Sequence, residues 1–298
     1  MRTSFSLAVA LALGLGPSPS APRYSDWSTP TYAGSINTAD LEFPNGISRD
    51  GLSLYFQRGA ALTSGEDLYV VHRPDTEADW GVPVRLPPTV NSSANDRGAF
   101  ISKDGHWLYF ASSRAGGAGD YDLYVSWRAH VHNDDAWQPA VNISELNTPG
   151  FDSGPALFED EELEMTQLYF ASNPGPGGQP FADIYMSILN ADGSFGTPTL
   201  VTELNSPASE GRPYLRRDGH EILFQSNRAG QGDIWVSTRA ATDEPWSMPE
   251  SVPVINTSGS EVTPVLSWDG RTLFIGVNRP GNVGDIFYST REKLRGRP

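Results

Sequence analysis

Five carboxylates recur at matched places in this 298-residue chain: Glu42, Asp96, Asp152, Glu210 and Glu261. Each follows an Asn-Ser or Asn-Thr pair by three residues, at Asn37, Asn91, Asn147, Asn205 and Asn256. Four of the acids stand nine residues before the glycine of an Asp-Gly turn, and Asp152 fits by alignment. Carboxylates gathered in one place have two chemical uses. They offer hard oxygen ligands, which suit calcium and no soft metal. They also work in pairs, one as acid and one as base or nucleophile, in glycosidic bond cleavage. The opposing reading is architectural. Arg58, Arg114, Arg228 and Arg279 follow at a repeated position, and each can neutralise an acid through charge-assisted hydrogen bonds. A residue repeated in every unit is more readily part of the architecture than of a catalytic centre, which needs asymmetry.

Blade-like unit three breaks the pattern. Pro174 replaces the repeated arginine, so Asp152 is expected to lack its partner. The same unit carries an acidic insert at 159–164 and a Gly/Pro loop at 173–180. His130 and His132, with Asp134 and Asp135, form a weak candidate for a transition-metal site. The glycine-rich turns precede no helix and no lysine, which argues against phosphate binding.

The elements that position these residues follow from the repeat. The five Asn positions are spaced by 54, 56, 58 and 51 residues, periods that match propeller blades. Each unit runs from its acid through a strand to an Asp-Gly hairpin turn. A second apolar strand follows, at Leu54, Leu108, Leu168, Ile222 and Leu273. A third opens at Asp67, Asp122, Asp183, Asp233 and Asp285. A segment with an aromatic and a proline then leads to the next Asn, as at Trp80/Pro83, Trp137/Pro139, Phe195/Pro198 and Trp246/Pro249. The fifth unit lacks that segment, and the missing piece stands at the other end of the chain, at Trp27/Pro30. The expected fold is therefore all-β: a single five-bladed propeller of four-stranded blades over 23–291. The N-terminal strand completes the last blade and leaves no open edge.

Strings such as SKDGHWLYFASSRAGGAGDYDLYVSWR and RRDGHEILFQSNRAGQGDIWVSTR resemble the WD40-like repeats of TolB-type periplasmic propellers. The resemblance covers 29–291 and implies a protein-interaction platform of the bacterial envelope. It implies the fold more sharply than the function, because one propeller scaffold hosts many roles.

Composition narrows the partners. A formal net charge of -15 repels nucleic-acid phosphate and anionic membranes. The absence of cysteine excludes disulfides and thiol chemistry. Arg2 and the apolar run 7–15 read as an export leader over 1–22, too short to span a bilayer, which points to a periplasmic or secreted protein. Residues 292–298 read as a flexible tail. The expectation is a monomeric, non-catalytic module, not an enzyme, without a cofactor. It would bind a protein or glycan at its channel mouth through the five acids and Arg58, Arg114, Arg228 and Arg279. The alternative is a glycan-processing enzyme that uses the five carboxylates.

Overall fold

The structure, a computed structural model, describes residues 23–60, 65–174, 181–279 and 282–294. The expected leader lies outside them. Five four-stranded antiparallel sheets form the ring. Blade one runs Leu41–Ile47, Ser53–Gly59, Asp67–His72 and Val84–Arg85 from the axis outward. Blades two, three and four start with Asp96–Ile101, Phe151–Asp160 and Glu210–Leu215. Blade five consists of Ser260–Leu266, Thr272–Arg279, Asn282–Thr290 and, from the N-terminus, Thr31–Tyr32. Each innermost strand packs on those of both neighbouring blades, including five on one, so the circle closes. Among the described residues no helix is long and apolar enough to cross a membrane.

The core lies in the wedges between blades. Phe56, Phe110, Phe170 and Phe224, at the third position of the repeated apolar triplet, are fully buried. Flat aromatic rings fill the space between twisted sheets at high area per side chain.

The repeated asparagine has a backbone task. Each outermost strand is only two residues long and leaves part of the third strand's edge unpaired. Asn91 supplies the missing acceptor and a second donor: Leu68 N–H donates to its Oδ1 at 2.8 Å, and its Nδ2 joins Leu86 N–H in donating to Leu68 O, at 2.9 Å. Asn147, Asn205 and Asn256 do the same for Leu123, Ile184 and Ile234. A buried backbone group must find a partner, and a side-chain amide offers one donor and one acceptor in the right places.

A second lock repeats at the hairpin turns. Arg73, Arg128, Arg239 and Arg291 end the third strands of blades one, two, four and five. Their Nε atoms donate to the carbonyls of Gly51, Gly105, Gly219 and Gly270. Their guanidinium groups lie 4.2–4.4 Å from the ring centroids of Trp80, Trp137, Trp246 and Trp27. Blade three has Leu189 and Phe195 instead. Beyond Arg291, Lys293 bridges to Tyr24, and Leu294 N–H donates to Arg23 O at 2.8 Å. The chain is thus still paired within the segment expected as a tail.

Candidate functional site

The five acids stand at the first or second residue of each innermost strand, at one mouth of the channel. They do not form a bare ring, since all five are at most 1% exposed. Their own repeat motif holds them. Thr38, Ser92, Thr148, Ser206 and Thr257 each donate a backbone N–H and a hydroxyl to the acid four residues on. Arginine adds a further donor: Arg58 Nε reaches Glu42 at 2.8 Å, Arg114 reaches Asp96 at 2.6 Å, and Arg228 reaches Glu210 at 3.2 Å. The backbone stitches blades at the same level. Asp96, Asp152, Glu210 and Glu261 N–H groups donate to Glu66, Tyr121, Ala182 and Gly232 carbonyls of the preceding blade. The side chain of Arg279 lies outside the described residues. For Glu42, burial outweighs Thr38 and Arg58 and leaves its carboxyl above the ordinary range.

Asp152 is the exception foreseen in the sequence. Its partner position holds Pro174, and no guanidinium reaches it. Burial and the nearby Asp122 carboxylate push its carboxyl up, against the donors on Thr148 and Ser172. Asp122 in turn accepts from Ala118 N–H at 3.1 Å. The turn carrying Ala118 lies directly on it: a Cβ on Gly117 would fall 1.6 Å from Asp122 Oδ2. Asp152 is thus a buried carboxyl group with a second carboxylate, Asp122, nearby and no guanidinium beside it.

The channel wall carries a second cluster that sequence reading missed. Glu66, immediately before the strand-opening Asp67, accepts from Gln57 Nε2 at 3.0 Å through Oε1. Its other oxygen, Oε2, has no hydrogen-bond donor and faces Arg97 at 3.6 Å. The Arg97 guanidinium lies 3.7 Å from the ring centroid of Tyr121 and 5.0 Å from that of Phe151. Gln57 Oε1 accepts from Asn45 Nδ2 at 3.2 Å and Arg212 at 3.4 Å. Burial, with Arg97 beside it, pushes the Arg212 guanidinium down to about 10. Asn45, Arg212 and Thr263 share one stretch of the channel. A bulge in each innermost strand turns residues into it and sets Arg212 at φ 53° and Thr263 at φ 51°. Non-glycine residues hold that backbone at a cost, and such strain gathers at functional sites. Asn45 Oδ1, Glu66 Oε2, Arg97 Nε and Thr263 Oγ1 are buried without a hydrogen-bond partner. Native proteins leave few such atoms, and Asn45 and Thr263, which line the channel, mark where a polar ligand can complete the network. The sequence signal available was the non-repetition of Glu66, Arg97 and Arg212 at repeated positions.

Other sequence candidates are not assembled. His130 and His132 are exposed. Asp134 is used by His72 and Arg128, both at 2.7 Å. Among the described residues no group of three or more His, Asp or Glu side chains is placed to hold a metal ion.

The sequence matches no protein-family model and no curated protein sequence. Solved structures share the fold. A thermostable family-43 glycoside hydrolase superposes with TM-score 0.63 at 12% identity, over 90% of this chain and 94% of that one. An endo-arabinase from Bacteroides thetaiotaomicron gives 0.61 at 18% identity, over 91% and 99%. A TolB-type protein from Agrobacterium tumefaciens gives 0.50 at 16% identity, over 86% and 80%. The five-bladed propeller therefore stands, while the WD40-like, TolB-type resemblance is met in fold by the Agrobacterium tumefaciens structure. Most of these neighbours are glycoside hydrolases. That finding corrects the expectation of a non-catalytic binding or scaffold module and of a protein that is not an enzyme.

Proposed function

We propose that this chain is an exported glycan-processing enzyme of the glycosidase type, which takes its substrate into the channel beside Glu66. The carrying observation is the buried Oε2 of Glu66, which has no hydrogen-bond donor among the described residues and faces the Arg97 guanidinium at 3.6 Å. Glycosidic cleavage needs one carboxyl group to protonate the leaving oxygen and a second to attack the sugar or activate water. Glu66 is the candidate for the second role, with Gln57 fixing its orientation. Asp152 is the candidate proton donor, because burial and Asp122 hold its carboxyl above the ordinary range. Asp152 has no exposed surface, so delivery of its proton to a sugar requires local movement around it. Tyr121 and Phe151 offer apolar ring faces against which a sugar can lie. Export is supported by the apolar run 7–15 behind Arg2. The likeness in fold to an endo-arabinase supports arabinan as a first substrate, and that to a xylan β-1,4-xylosidase, over 54% of that chain, supports xylan.

The test is product release from arabinan, xylan and aryl α-arabinofuranoside or β-xyloside by the purified protein. Turnover on one of them is expected. No release from any, with a folded protein, would remove the reading.

A further inference from the structure

The other channel mouth is built from the residue preceding each hairpin-turn aspartate: Arg49, Lys103, Glu159, Arg217 and Trp268. The positions are equivalent in all five blades, yet the residues are not repeated. Symmetry of the fold explains the place and not the chemistry. Three cations and a tryptophan ring one opening of a protein whose net charge is -15.

The funnel they form has an apolar floor. Phe100 and Tyr214, with ring centroids 5.7 Å apart, line it together with Leu266. Trp268 is half-buried, and its Nε1 is buried without a partner. Arg49 lies 5.6 Å from the Trp268 ring centroid and Lys103 5.9 Å. Lys103 pairs with Glu161 on the acidic insert. Arg49 and Arg217 are exposed and have no carboxylate or carbonyl partner among the described residues. Elsewhere in the molecule Arg58, Arg114, Arg128, Arg216, Arg228 and Arg291 each bond a carboxylate. Two exposed guanidinium groups stand at the same mouth as an indole, within the electrostatic reach of Glu161 but in no ion pair with it.

We propose that this mouth binds an acidic saccharide, with a sugar's apolar face on Trp268 and its carboxylate on Arg49 and Arg217. Guanidinium is the side chain suited to a planar carboxylate, which it can hold through two parallel N–H donors. The indole accepts the C–H face of a sugar ring and can donate Nε1–H to a hydroxyl. The protein's overall negative field disfavours polyanions at range, so recognition has to be short-range and local. The choice of a saccharide over another amphipathic anion rests on the glycan reading above. The site itself is separate from Glu66, at the opposite end of the channel.

Titration calorimetry with trigalacturonate, neutral xylotriose and triaspartate tests the proposal on the full mature chain. Trigalacturonate is expected to bind, more weakly as salt rises. Trp268→Ala and the pair Arg49→Gln with Arg217→Gln should each lower its affinity at least tenfold. Glu66→Gln should leave that affinity unchanged, which separates this site from the proposed catalytic one. Absence of trigalacturonate binding, or equal binding of xylotriose or triaspartate, would overturn the proposal. If no substrate is cleaved but trigalacturonate binds with this mutational pattern, the catalytic reading falls and the mouth site stands.

Discussion

Asn37 and Ile286 lie 249 residues apart in sequence and make a two-way hydrogen-bonded contact. Ile286 N–H donates to Asn37 Oδ1 at 2.7 Å, and Asn37 Nδ2 donates to Ile286 O at 2.9 Å. The contact reproduces across the chain ends what Asn91 does within blade one, and it fastens the ring where no covalent bond does. Asn37→Ala leaves Ile286 N–H unpaired, at about 1–3 kcal/mol, while Ile286 O keeps the Ala33 N–H at 3.0 Å. With roughly 2–4 °C per kcal/mol for a domain of this size, the melting temperature should fall by about 2–12 °C. Deleting 24–37 should abolish cooperative unfolding. An unchanged melting curve in either variant would show that closure does not depend on this segment.

Asp96 and Asp152 occupy equivalent positions with different partners. Asp96→Asn removes the charge facing Arg114, which keeps Ser112 and the Val90 carbonyl, and losing that charge-assisted bond costs about 1.5–3 kcal/mol. Asp152→Asn strands no cation and keeps an acceptor for Thr148, so its cost should stay below about 1 kcal/mol. Urea denaturation of the two variants reads the difference. Equal destabilisation would mean that the arginine is not what separates them.

The same contrast has a pH signature. The folded-state pKa of Asp152 is raised by burial and Asp122, so the folded chain takes up this proton more readily than the unfolded one. Ionised Asp152 therefore weakens the fold above that raised pKa. The penalty fades as pH falls through it toward the ordinary aspartate value. Asp152→Asn never carries the penalty. Its stability relative to wild type should be greatest at neutral pH and should shrink on acidification, in melting curves from pH 7 to 4. A difference that grows toward acid would reverse the sign of this assignment.

Calcium is the cation the five acids would favour. Each carboxylate already accepts from the backbone and hydroxyl of its own motif, so none is left with a full set of ligand oxygens. Millimolar calcium should move the melting temperature by less than about 1 °C, as should chelator. A metal that binds only the folded state must raise its stability. A rise of several degrees, lost in Asp152→Asn with Glu210→Gln, would make the ring a metal site.

The fold was legible because every unit repeats one hydrogen-bonding solution. Asn37 before Glu42, and Trp27 without a preceding blade, are enough to read a permuted, closed circle. The missing partner of Asp152 was legible too, because Pro174 cannot replace an arginine. Repetition also concealed the rest. Glu66, Arg97 and Arg212 come together only through strand bulges, which shift register by one residue and turn side chains into the channel. Arg49, Lys103, Arg217 and Trp268 meet only when five turns converge on one axis. No local pattern announces either cluster. The spacing of the five acids shows a shared position, but it does not show that their own Ser and Thr donors occupy them there.

The central claim is that Glu66 does chemistry in the channel. The most direct test is kcat of Glu66→Gln against wild type on the best glycan substrate, with melting temperature measured alongside. Glutamine keeps the shape and the contact to Gln57 but gives up the charge facing Arg97 and cannot attack or accept a proton, so kcat should fall by about 10²–10⁴-fold while the protein stays folded with a modestly lower melting temperature. Turnover by Glu66→Gln at the wild-type rate would contradict the account.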